Sequence, residues 1–133
     1  MVRPLIVGEA PARTGDPRRP ITGACGLKLA SFSGISFDAF LMRFARANVL
    51  PRWPGAAGSK GAAFPLSEAR ACAAALSRRF VSGRAVILLG KRTARAFGVT
   101  RADYFEPIAL PRATAFVVPH PSGVNRWFND ARN

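Results

Sequence analysis

The sequence predicts an α/β domain of three layers, in which a mostly parallel central sheet lies between helices. Three short apolar runs, "PLIVG", "RAVILLG" and "TAFVVP", have the length and composition of buried strands. Segments with helical periodicity separate them, and strands that alternate with helices in this way form parallel sheets. The 133 residues, 49% of them hydrophobic, are enough for a single domain over 1–133.

The predicted elements follow one another without repeats, low-complexity tracts or linkers. Ser36 and Ser67 each precede an amphipathic run and have the side chain of a helix N-cap. Gly98 is expected to end a short helix. Strands are predicted at 4–8, 84–90 and 114–119, and helices at 24–31, 37–47, 68–80, 91–97 and 124–131.

The chain is strongly basic. Lys and Arg number 20 against 7 Asp and Glu, which gives a formal net charge of +13. This balance favours a polyanionic partner, most simply nucleic acid, and guanidinium groups suit contacts with phosphates and bases. A GC-rich genome would also explain the excess of Arg over Lys, but it does not account for the small number of acids.

The potential metal ligands are few. Cys25 and Cys72 form no CxxC pair, and His120 is the only histidine. These residues do not indicate a zinc site or a disulfide framework, so we expect no metal and no cofactor. Because no apolar run approaches the length of a membrane span and the first one is too short for a signal peptide, we expect a cytoplasmic protein without a membrane partner.

Polar residues follow the predicted strands at their carboxyl ends, where α/β folds bind ligands. Glu9 lies in "GEAPARTGD" after the first strand, Lys91 and Arg92 follow the second, and His120 follows the third in "HPSGVNR". We expect the loops after the first and third strands to converge on one cleft.

The loop around His120 has two interpretations. A histidine between two prolines has a constrained backbone, and the simpler interpretation is a structural histidine at a strand end. Ser122 and Gly123 instead suit close approach to a phosphate, and Arg126 adds charge. Val124 is an apolar residue among polar ones, which suits a wedge inserted into a base stack.

Glu9 and Asn48 are also open to two interpretations each. A carboxylate beside a basic groove can activate a water or stabilise a cation, but Glu9 could equally form a surface ion pair with one of many arginines. The amide of Asn48 can read the edge of a pyrimidine. Spacing alone favours the alternative, in which Asn48 ends a helix.

Four motifs in chain order resemble the uracil-DNA glycosylase superfamily, most closely its family 4 and family 5 branches. They are "GEAPARTGD" with the following "RRPITGACG", then "NVLPRWPG", "RAVILLGKRTARAF" and "HPS". No single motif is decisive, but their order covers nearly the whole chain. The resemblance implies a uracil-DNA glycosylase-like fold and a monomer that binds DNA. When bound to DNA, the protein would be associated with the nucleoid.

The resemblance also implies an activity, the excision of uracil or a related modified base that is flipped out of DNA, with an abasic site as product. By this resemblance Glu9 would place or activate the water, His120 would donate a hydrogen bond to uracil O2, and Asn48 would read the uracil edge. Residues implied to line the base pocket are Ile21, Ala10 and Pro11. Residues implied to contact DNA are Ser122, Gly123, Val124, Asn125, Arg126, Lys91 and Arg92.

Three features depart from the family pattern. Family 4 members hold an iron–sulphur cluster on four cysteines, whereas only Cys72 falls near a ligand position here, so we expect no cluster. Ile21 stands where the family has an aromatic residue that stacks on uracil; Phe32, Phe37 or Trp53 could substitute for it, or the base could be a bulkier pyrimidine. The chain is also short, with trimmed loops.

Two further functions compete with the glycosylase hypothesis. A catalytically inactive DNA-binding or base-sensing module on the same fold is favoured by Ile21. A nucleotide hydrolase would need acids for a metal, and seven acids spread over the chain do not suggest one. We expect a glycosylase, because Glu9, Asn48 and His120 are all present.

Overall fold

The computed structural model describes residues 2–55 and 64–121 and contains a five-stranded mixed sheet. The strands are β1 Leu5–Gly8, β2 Ala45–Asn48, β3 Arg84–Leu89, β4 Pro107–Ala109 and β5 Ala113–Val118. Their order is β2-β1-β3-β5-β4, and all neighbours pair in parallel except β4, which is antiparallel to β5. The predicted α/β fold with a mostly parallel sheet is confirmed.

Four helices are found in the described ranges, and they cover both faces of the sheet. They are α1 Ala24–Phe32, α2 Phe37–Arg43, α3 Leu66–Ser77 and α4 Lys91–Ala96. Because successive side chains of a strand point to opposite faces, Val7 packs in one core cluster with α3 and α4, while Ile6 packs in another with Ala30 of α1 and Phe40 of α2. The three layers follow from this alternation.

The two predicted helix caps have different outcomes. The hydroxyl of Ser36 accepts a hydrogen bond from the Ala39 amide at 3.1 Å, which confirms it as the N-cap of α2. The prediction for Ser67 was wrong: α3 begins at Leu66, after Pro65, so Ser67 already lies within the first turn. Pro65 has no side-chain group that could accept such a bond.

The largest error of the sequence analysis concerns the helix predicted over 37–47. Helix α2 ends at Arg43, because Phe44 has extended backbone angles, and the next four residues form the edge strand β2. This short strand is paired in parallel with β1 over its whole length. Pairing with β1, which the local sequence does not reveal, therefore overrides the helical pattern. Strand β4 was also not predicted, and the helix expected at 124–131 lies outside the described residues.

Within residues 2–55 and 64–121, no single helix is long and apolar enough to cross a membrane. Helices α1 and α2 together would be, by length and composition only, but a bend of 93° separates them.

Candidate active site

A cleft of about 390 Å³ opens at the carboxyl ends of the parallel strands. Gly8 and Asn48 are register partners at the ends of β1 and β2, and His120 follows the end of β5 by two residues. Glu9 and Arg92 also line this cleft. The structure therefore brings together polar residues from four separate segments of the chain, as expected where parallel strands end.

Asn48 lies close against the backbone of Gly8. A Cβ atom built on Gly8 would lie 2.7 Å from the Asn48 side-chain oxygen and 3.6 Å from Ile21 Cδ1. Only glycine leaves room for this approach. The interpretation of Asn48 as a helix-terminating residue was wrong, because Asn48 ends a strand and its side chain faces the cleft.

The carboxylate of Glu9 forms a two-point ion pair with Arg92. Arg92 Nε donates to Oε1 at 3.1 Å and Arg92 Nη2 donates to Oε2 at 3.0 Å. The Glu9 side chain is only 22% exposed, and the guanidinium carbon of Arg92 also lies 5.4 Å from the centre of the Phe64 ring. The pair fixes both oxygens of Glu9 in the wall of the cleft, since two parallel N–H···O bonds define the carboxylate plane.

This pairing changes the expected role of two residues. Glu9 does pair with an arginine, as one interpretation held; the pair lies in the cleft wall, with the Arg92 side chain 49% exposed. Arg92, expected to contact phosphates, is held here by the carboxylate and lies over an aromatic ring.

His120 is half-buried between Pro119 and Pro121, both of which are fully buried. The two prolines anchor the backbone on either side of the imidazole. Gly90, at the end of β3, permits a close approach: it has φ +87°, and a Cβ built there would lie 3.3 Å from His120 Cβ.

The electrostatic surroundings of His120 favour a neutral imidazole. Burial lowers the pKa of His120 below its usual range; Glu9 acts to raise this pKa and Arg92 to lower it. Burial disfavours the charged form because the ring loses hydration. These surroundings favour the neutral form of the ring, which has one N–H donor.

Ile21 forms an aliphatic part of the wall next to Gly8. Its residue surface is 8% exposed, and its φ of +58° lies in the left-handed region. For a β-branched residue this conformation costs on the order of 1–3 kcal/mol. Ala10 and Pro11, the two other residues implied for the base pocket, also line the cleft.

Aromatic residues reach the cleft from elsewhere in the chain. Trp53, 41% exposed, lines it with the Arg13 guanidinium 5.8 Å from its ring, and Phe64 lines it beneath Arg92. Phe32 and Phe37, suggested as stacking residues, do not line the cleft; Phe37 stacks on Phe40 instead. Sequence reasoning missed Phe64, whose only local signal is an aromatic residue next to the proline that precedes α3.

Lys91, another predicted DNA contact, does not line the cleft. Lys91 lines a separate depression with Arg95 and Arg101, and its Nζ lies 5.1 Å from the centre of the Tyr104 ring. The other five predicted contacts lie outside the described residues: Ser122, Gly123, Val124, Asn125 and Arg126.

The cysteines do not fit an iron–sulphur cluster. Cys25 packs against the α1–α2 side of the sheet and Cys72 against the α3–α4 side, so the two thiols cannot share one cluster. Neither forms a disulfide. Burial raises the pKa of the Cys25 thiol to about 11, which opposes the thiolate that a metal needs. Over residues 2–55 and 64–121, no group of three or more His, Cys, Asp or Glu residues is placed to hold a metal ion.

Comparison with known proteins gives one family. The model of the uracil DNA glycosylase superfamily matches residues 1–133. The chain belongs to the uracil-DNA glycosylase superfamily. Membership indicates a DNA glycosylase-type function with DNA as partner, and the sheet and cleft described above are consistent with this fold. No curated protein matches the chain.

Proposed function

We propose that this member of the uracil-DNA glycosylase superfamily flips uracil, or a related modified base, out of DNA and hydrolyses its N-glycosidic bond. The observation that carries the proposal is the convergence of Glu9, Asn48 and His120 on one cleft at the carboxyl edge of the sheet. In a single reaction, Glu9 can position the water, Asn48 can bind the base edge and His120 can stabilise the leaving group. The product is an abasic site.

His120 stabilises the leaving base. As the bond between the sugar C1′ and the base nitrogen breaks, negative charge builds on uracil O2, and a fixed N–H donor is most useful where charge develops. The lowered pKa of His120 supports a neutral ring as this donor, because a neutral imidazole still carries one N–H.

Asn48 selects the base. Its amide offers two donors and one acceptor, which can pair with the edge of a flipped pyrimidine. The close approach of this amide to Gly8 limits how far it can move. A base with the wrong pattern of donors and acceptors would leave polar groups of the pocket unpaired.

Glu9 acts on the sugar side of the reaction. Its carboxylate positions the attacking water and stabilises the sugar cation that forms as the base leaves. The water oxygen bonds to C1′ as the C1′–N bond breaks, and the water proton finally neutralises the uracil anion. The two hydrogen bonds from Arg92 hold the carboxylate in place for this role.

The strongly basic chain supplies the affinity for DNA. The net charge of +13 supports phosphate contacts, for which we propose Lys91 and the segment 122–126. Within that segment, Val124 and Arg126 would fill the gap left by the flipped base.

Base excision is tested with labelled oligonucleotides that carry one uracil, hypoxanthine or modified pyrimidine, in single- and double-stranded form. After incubation, alkali cleaves the strand at every abasic site. We expect cleavage at uracil or a related pyrimidine, and its loss in His120→Ala and Asn48→Ala variants that unfold at the wild-type urea concentration. DNA binding without cleavage of any substrate would contradict the enzyme proposal and leave a binding module.

A further inference from the structure

Arg46 of the edge strand β2 reaches into the loop that forms part of the cleft wall. Its Nε donates to the Pro20 carbonyl at 3.2 Å. Its Nη1 donates to the carbonyls of Leu41 and Phe44, both at 3.0 Å. The guanidinium thus ties the loop that carries Ile21 to the end of helix α2.

The bond to Pro20 controls the backbone of Ile21. The Pro20 carbonyl belongs to the peptide plane that precedes Ile21, and rotation of this plane about the N–Cα bond of Ile21 is its φ angle. Holding the carbonyl therefore restricts φ at Ile21. This restriction matters because Ile21 has φ +58°, a conformation that a β-branched side chain strongly disfavours.

The following peptide plane is held from the other side. A Cβ built on Gly26 of helix α1 would collide with the Ile21 carbonyl oxygen, so the carbonyl packs directly against the helix backbone. Arg46 fixes the plane before Ile21 and the contact with Gly26 fixes the plane after it. A side-chain hydrogen bond and a backbone contact, both from outside the loop, therefore hold Ile21 in a conformation that is unfavourable on its own.

The position of Arg46 also has an electrostatic cost that its hydrogen bonds offset. Burial, Arg3 and Arg19 all lower the pKa of Arg46, so the guanidinium is partly desolvated and lies near two like charges. Three carbonyl oxygens compensate for both effects. A solvent-exposed arginine on an edge strand would remain hydrated and would not need these three carbonyl oxygens.

We propose that Arg46 is a positioning residue that holds Ile21 in its left-handed conformation and so sets one wall of the cleft. The claim that this wall faces a flipped base rests on the proposed function. The claim that Arg46 fixes the wall is independent of it. The wall residue Cys25, at the start of α1, provides a readout that needs no DNA.

The test compares Arg46→Met with the matched control Arg84→Met in a Cys72→Ala background, so that Cys25 is the only thiol. Arg84 likewise donates from Nε to a backbone carbonyl, that of Arg3 at 2.9 Å, but it does not line the cleft. The rate at which a neutral disulfide reagent modifies Cys25 is measured for each variant, beside its urea midpoint. Arg46→Lys, which keeps the charge but not the planar fork, completes the set.

At equal urea midpoint, we expect Cys25 to be modified about tenfold or more faster in Arg46→Met than in Arg84→Met. The reason is that one hydrogen bond from a charged donor is worth roughly a factor of ten in an opening equilibrium. The rate in Arg46→Lys should lie between the two. Equal rates in Arg46→Met and Arg84→Met would overturn the assignment and leave Arg46 as a general stabilising contact.

Activity on uracil DNA separates this inference from the proposed function. We expect Arg46→Met to raise KM more than it lowers kcat, because the wall binds the base in ground state and transition state alike. If wild-type protein excises no base while Arg46→Met still opens the wall, the proposed function fails and the positioning role stands. If wild type is active and Arg46→Met changes neither the Cys25 rate nor KM, the positioning role fails and the proposed function stands.

Discussion

Glu9 and Arg92 are 83 residues apart in the sequence and form a two-point ion pair in the candidate active site. The pair links the loop after β1 to the first turn of α4, which follows β3. Because β1 and β3 are neighbours in the sheet, their carboxyl ends bring the two loops together. The pair is thus a direct consequence of the strand order.

Removing either member of this pair should impair base excision. We expect Glu9→Gln and Arg92→Gln each to lower the single-turnover rate by about 10²-fold or more, the usual range for a positioned carboxylate. The double variant should lose little beyond Glu9→Gln, since Arg92 acts through the carboxylate. Single-turnover excision of uracil under saturating protein measures all three.

The ion pair between Arg52 and Glu68 gives a matched control. It has an N–O distance of 2.8 Å, but neither residue lines the cleft. Glu68→Gln and Arg52→Gln should keep the wild-type rate. Equal losses in both pairs would show that the effect comes from surface charge rather than from the position of Glu9.

His120 can be titrated directly, because it is the only histidine and gives one set of imidazole signals. We expect NMR to report a pKa below the usual value of about 6.5. Glu9→Gln should lower this pKa further, since the carboxylate favours the charged ring, whereas Arg92→Gln should raise it. Shifts of the same sign in both variants would contradict the described geometry.

The lowered pKa of His120 also predicts a pH dependence of stability. The unfolded chain binds a proton at His120 at higher pH than the folded chain does, so folding stability falls as pH drops through about 6.5 towards the folded pKa, and the contribution is fully present above 6.5. Urea unfolding across this window should give a smaller pH slope for His120→Asn than for wild type. Identical slopes would contradict the prediction.

Gly8→Ala should weaken excision of uracil without unfolding the sheet. The added Cβ would lie 2.7 Å from the Asn48 side-chain oxygen and must displace the amide. We expect kcat/KM to fall by about 10-fold or more, because small misplacements of a binding group are costly. In an Asn48→Ala background the same change should have little further effect, and a full additional loss would place the cause elsewhere than in Asn48.

Ile21→Phe should strengthen the binding of a flipped base. A phenyl ring can stack on the base, which is worth about 1–3 kcal/mol, and it removes the β-branched side chain from a left-handed position. The KM for DNA that contains uracil measures the gain in affinity, and it should be lower for Ile21→Phe than for wild type. A higher KM in Ile21→Phe would contradict this prediction and indicate that base binding requires the aliphatic side chain of Ile21.

Much of the fold could be predicted from the sequence because its three central strands are continuous apolar runs. Strand β2 could not, since "ARAN" is short and follows a helical pattern, and its strand conformation depends on pairing with β1. The error also hid the position of Asn48, which as a strand end lies beside Gly8 rather than at the end of a helix.

The cleft was predictable in part. Glu9 and His120 follow recognisable strands, so their convergence could be expected from topology. The partner of Glu9 could not be foreseen among so many arginines, and the link from Arg46 to Pro20 depends on a strand that the sequence did not reveal. Phe64 enters the cleft from a loop distant in sequence, and no local pattern marks it as a cleft residue.

The most direct test of the central claim is to measure free base released from DNA. Wild-type protein is incubated with an oligonucleotide containing one uracil, and free uracil and abasic sites are quantified by mass spectrometry. We predict one free uracil for each abasic site, and neither product from a folded, DNA-binding His120→Ala variant. Saturated binding of the wild-type protein to this DNA, with no free base from uracil or from any related modified base, would contradict the claim that the cleft of Glu9, Asn48 and His120 is a glycosylase active site.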